Sequence, residues 1–240
     1  MRSCLKLLLF VSIPIILLLS PSFASASASH VQYTVSVKEL KAKSLSHLEV
    51  QDSDKTEILY LYAPDQQAEL KDDSNQYCGA HSGQTELSGN YYLILTRGKQ
   101  LLSSTALGQM SFTIGSSWDG TLEHFQIPGR GNNVVRLSQY ATCESKEDIY
   151  LFAVAKGIIK PVTFVMRDKT QAKSIVAGDN TLDVSQDGKS LQACASWMGP
   201  EGWSLGCQTF RSSDKPEDDN LYEISSCKQG EGDTTCIPEK

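Results

Sequence analysis

The chain has 240 residues and carries 22 Lys and Arg against 28 Asp and Glu, a net charge of −6. That balance excludes a broad basic surface for nonspecific nucleic-acid binding. With 8% aromatic and 21% charged residues, wholesale disorder is excluded too, and the length suits one large domain or two small ones.

Arg2 and Lys6 form a basic start, an apolar run follows from Leu7 to Leu19, and small residues extend from Ala24 to Ser29. This is the pattern of an export signal over residues 1–28, cut after Ala24-Ser25-Ala26 or Ala26-Ser27-Ala28. The competing reading is an uncleaved anchor, which the short run disfavours. No other long apolar run follows, so the mature chain is expected to have no membrane span and to be periplasmic or extracellular. Without Arg2 and Lys6 the bases fall from 22 to 20 against 28 acids, or −8.

Loss of Cys4 with the signal leaves six cysteines: Cys78, Cys143, Cys194, Cys207, Cys227 and Cys236. An even number in an oxidising compartment points to disulfides. Proximity in sequence favours Cys194–Cys207 across a hairpin and Cys227–Cys236 around a short loop, leaving Cys78–Cys143 as a long-range bridge. Metal binding is the rival, and no C-x-x-C pair supports it.

In chain order, Val31, Tyr33, Val35 and Val37 alternate as a half-buried strand does. Lys38–Val50 has a helical rhythm through Leu40, Leu45 and Leu48, in competition with a strand continuing from Val37. Ile58–Tyr62 is β-rich. Tyr91–Thr96 and Leu101–Leu107 flank the hairpin loop Arg97-Gly98-Lys99-Gln100. Val134–Leu137 and Ile149–Ala155 are further strands. The second turns at Lys156-Gly157 into Ile158–Met166, where Pro161 implies an edge or a bulge. Leu191–Trp197 and Trp203–Phe210 form another hairpin, Leu221–Ser225 is the last strand, and Lys228–Lys240 reads as loop. Short strands with Gly, Asn and Asp turns predict an all-β, disulfide-stapled antiparallel sandwich, with a propeller-like meander as the alternative. The domain reading is a signal over 1–28, a β-sandwich over 29–170, and a disulfide-rich hairpin region over 171–240 in the same domain or a small subdomain.

Val35–Leu40, Glu57–Tyr62, Trp118-Asp119-Gly120 and Val134–Leu137 give residues 31–170 a resemblance to secreted C2-like β-sandwich domains. Many such domains hold calcium in aspartate-rich loops. Asp52, Asp54 and Asp148 could fall in comparable loops, but the dense pattern is missing. Calcium or lipid binding is therefore not carried over.

No catalytic motif stands out. There is no G-x-S-x-G elbow, His81 and Ser82 are adjacent and would point to opposite faces of a strand, and His47, His81 and His124 are scattered. Residues 115–123 and 179–188 hold too few or mis-spaced ligands for calcium. No cofactor or metal is expected. The most specific local feature is the hairpin with Pro200-Glu201 at its turn. That centre sets Cys194 opposite Cys207, Met198 opposite Trp203 and Gly199 opposite Gly202. Trp203 then shares the cysteine face and Trp197 takes the other. Trp197, Met198 and Trp203 are the candidate binding residues, against the plainer reading that both tryptophans are core. The expected function is a non-enzymatic binding or interaction module for a protein or glycan. The alternative is a secreted hydrolase using His81 or His124.

Overall fold

A computed structural model describes residues 35–52, 54–70, 84–114, 120–127, 133–142, 146–178, 182–185, 188–199, 202–213, 215, 218–229 and 234–237. At 140–142, 146, 197–199, 202–203, 229 and 234–237 it describes the backbone alone. The described residues begin with one short helix, α1 (Val37–Lys43), and continue almost wholly as strands.

The expected strand over 31–37 is corrected where it can be seen: Val35 and Ser36 are not strand and Val37 starts α1. Ser36 is the reason, because its hydroxyl accepts the Glu39 amide at 3.2 Å and caps the helix. Glu39 then pairs with Lys43 one turn on. The helix is also shorter than the rhythm over 38–50 implied. It ends at Lys43, and β1 (Ser46–Asp52) takes over.

Three sheets follow, antiparallel throughout except where β10 and β16 of the third run parallel. The first holds β1, β2 (Lys55–Tyr62), β3 (Gln67–Leu70), β4 (Thr85–Arg97) and β5 (Gln100–Ile114), in the order β1-β2-β4-β3 with β5 on the other side of β4. The middle sheet holds β6 (Leu122–Phe125), β7 (Val134–Thr142), β8 (Lys146–Ala155) and β9 (Ile158–Pro161). The third begins with β10 (Phe164–Val165) and β11 (Gln171–Ala172). The chain then returns to the middle sheet as β12 (Ser174–Gly178), which pairs with β8. It finishes the third sheet with β13 (Leu182–Val184), β14 (Leu191–Gly199), β15 (Gly202–Ser212), β16 (Leu221–Gln229) and β17 (Thr234–Ile237). Strands from both sides of residue 170 thus share the middle and third sheets. Pro161 closes β9 at the sheet margin, where a missing amide leaves no ladder bond unmade. Lys228–Lys240 is not simply loop: β16 runs to Gln229 and pairs with β17.

Alternation along the middle sheet creates two cores. Val135, Leu137, Phe152 and Val154 face the first sheet and pack with Leu59, Leu61, Tyr91, Leu93 and Phe112. Val134, Ile149 and Leu151 face the third sheet and pack with Leu191, Phe210 and Leu221. Edge-on ring pairs sit in each: Tyr91–Phe112 at 4.8 Å and Phe164–Phe210 at 5.2 Å between centroids. On the outer face of the first sheet α1 buries Leu40 against Tyr60, Tyr62 and Ile94. Burial, with the bond from its hydroxyl to Glu39, pushes the Tyr62 phenol up to about 12.

Candidate functional site

The β14–β15 hairpin has the register its sequence predicts: Cys194 opposite Cys207, Met198 opposite Trp203 and Gly199 opposite Gly202. The Cys194–Cys207 disulfide is present, with its Cα atoms 4.0 Å apart. Phe210 and Leu191, opposed at the far end of the ladder, are both fully buried and anchor the hairpin in the core.

Among the described residues, the flanking strands stop short of the tip. On one side β13 pairs only from Leu191 to Ala193. On the other, β16 reaches only as far as Leu205. No described strand flanks residues 194–199 and 202–204, a two-stranded ribbon with a disulfide at its root. A free two-stranded ribbon is marginal in water. A bridge closing a loop of this size removes about 3 kcal/mol of chain entropy from the competing open states. By alternation Leu205 shares the face of Cys194 and Cys207. The side chains of Trp197, Met198 and Trp203 lie outside the described residues. Leu205 is exposed on that face.

The same face carries a feature that spacing did not reveal. Cys207 lies opposite Cys227 on β16, and Cys227 lies opposite Cys236 on β17. Four cysteines thus form one row across four adjacent strands. Cys227 is disulfide-bonded. Cys78 and Cys143 lie outside the described residues. The row was hidden because it depends on β15 pairing with β16, two strands joined by a connection that carries no hairpin signal.

The residues of the hydrolase alternative do not meet among those described. His124 is exposed on β6 of the middle sheet, and His47 is exposed on β1 of the first, 6.0 Å from the Tyr60 ring. His81 and Ser82 lie outside the described residues. Of the three aspartates noted for a calcium loop, Asp52 is 3.9 Å from Arg97, Asp54 sits in the β1–β2 turn, and Asp148 is within β8. Burial holds the Asp148 carboxyl above its usual range, partly offset by a bond from the Ser174 hydroxyl at 3.4 Å. Residues 115–119, 179–181 and 186–187 lie outside the described residues. Among the described residues no three or more His, Cys, Asp or Glu are grouped to hold a metal ion, and no helix is long and apolar enough to cross a membrane.

Comparison with family models, curated proteins and solved structures gives no match.

Proposed function

We propose that the protein is an exported, non-enzymatic binding module whose contact surface is the β14–β15 tip. Trp197, Met198 and Trp203 are its anchors, and its ligand is a protein or a glycan. The observation that carries this reading is the overhang: a ribbon that no described strand flanks, stapled where it leaves the sheet. A rigid platform loses little entropy on binding, and large aromatic or thioether side chains supply contact area on it. Export is supported by the signal pattern of residues 1–28 and by disulfides that an oxidising compartment maintains.

The test is a screen of the oxidised chain on a glycan array and a displayed protein library. Each ligand found is then measured against Trp197→Ala, Met198→Ala, Trp203→Ala and the triple variant. The triple variant is expected to bind at least about tenfold more weakly, as the loss of central aromatic anchors does, with an unchanged melting temperature. Full affinity in the triple variant contradicts the reading.

A further inference from the structure

We propose that the groove between α1 and the β4–β5 turn binds a single-chain anionic amphiphile, a long-chain fatty acid. The groove holds about 660 Å³, within the range of small-molecule sites. Val35, Leu40 and Leu101 give it an apolar lining. Lys38, Lys41 and Lys99 line it as well, and no carboxylate does.

Local sequence builds both walls. The Ser36 cap starts α1 at Val37, and Leu40 docks the helix on Tyr60, Tyr62 and Ile94 of the first sheet. Lys38 and Lys41, three residues apart, then fall on one side of the helix. The other wall is the β4–β5 turn. Gly98 at φ 59° lets the chain reverse there and sets Lys99 and Leu101 alongside the helix.

The positive charges are available. Lys38, Lys41 and Lys99 are exposed, and none makes an ion pair among the described residues. Glu39, the one acid of α1, is engaged elsewhere, accepting from Lys43 and from the Tyr62 hydroxyl at 3.0 Å each. In a chain with 22 bases against 28 acids, three such lysines make a local positive field that draws an anion against the overall charge.

The lining decides the rest of the ligand. Leu101 is 37% exposed, an apolar surface ready to be covered. The polar side chains at the groove are already engaged: the Thr96 hydroxyl donates to the Ile58 carbonyl, and the Ser36 hydroxyl accepts the Glu39 amide. A peptide laid there would bury backbone amides and carbonyls with few partners, at a cost. An acyl chain brings no such groups, gains from each methylene it buries, and leaves its carboxylate to the lysines.

The experiment titrates sodium dodecanoate, below its micelle concentration, into the ¹⁵N-labelled mature chain and follows amide shifts and binding heat. Saturable one-to-one binding is expected, with shifts concentrated at residues 35–41 and 96–101. Dodecyltrimethylammonium, of opposite charge, and octanoate, four methylenes shorter, are each expected to bind at least about tenfold more weakly. The variant Lys38→Ala/Lys41→Ala/Lys99→Ala is expected to lose at least about tenfold for dodecanoate with an unchanged melting temperature, since exposed lysines without ion pairs add little stability. Leu101→Asp is expected to lose as much. Absence of saturable binding, equal affinity for the two dodecyl amphiphiles, or full affinity in the triple lysine variant overturns the proposal. So do shifts centred on the β14–β15 tip, and adsorption to phosphatidylglycerol vesicles without dodecanoate binding.

Discussion

Single residues carry the charge balance of the interior. Glu57 is fully buried on the core-facing side of β2, beside Leu59 and Leu61 in alternation, and accepts from the Arg97 guanidinium. Its Oε2 and the Arg97 Nε find no protein partner. Arg136 and Glu147 form a second shielded pair at 2.8 Å on the opposite side of the middle sheet, with Ser138 accepting from the same guanidinium. A buried pair adds little net stability, but removing one partner strands the other charge. Arg97→Met is therefore expected to cost about 3–5 kcal/mol in urea unfolding, and adding Glu57→Leu to recover most of it. A loss below about 1 kcal/mol from Arg97→Met would place Glu57 in better contact with water than its burial implies.

At the scale of elements, turns and local pairs were legible and distant pairings were not. Lys156-Gly157 joins β8 and β9 with φ of 55° and 74°, both in the left-handed region. That is the backbone of a tight hairpin turn, for which Asn-Gly is the preferred sequence. Lys156→Asn is expected to raise stability by roughly 0.5 kcal/mol in thermal or denaturant unfolding, and a decrease contradicts the turn assignment. The β14–β15 register was readable because Cys194, the turn and Cys207 are close in sequence. Leu40, Leu45 and Leu48 show the opposite case. Their spacing fits one helical face, yet Leu40 packs outside the first sheet while Leu45 and Leu48 pack inside it. A cap at Ser36 and the pairing of β1 with β2 decided this, and the second of these is a tertiary event. Short strands such as β3, β6, β12, β13 and β17 escaped for the same reason, since three to five residues hold too little periodicity to register.

Across the whole molecule, the middle sheet gives one side chain to each core in turn, so the two cores stand or fall with its register. The hairpin overhang stands apart from both: no described strand flanks its distal residues, and its order is expected to depend on the bridge at its root. This separation is what makes a contact surface at the tip compatible with a stable interior. The register of the candidate hairpin was legible, because the turn centre sets Cys194 opposite Cys207 and Met198 opposite Trp203. What spacing could not provide was where the described β13 and β16 end beside the hairpin.

The most direct test is amide hydrogen exchange on the wild-type chain and on Cys194→Ala/Cys207→Ala. The account predicts that protection is lost at residues 194–199 and 202–207 while β7 and β8 keep theirs. Protection retained throughout, or lost equally across all three sheets, would contradict a tip whose order rests on its staple alone.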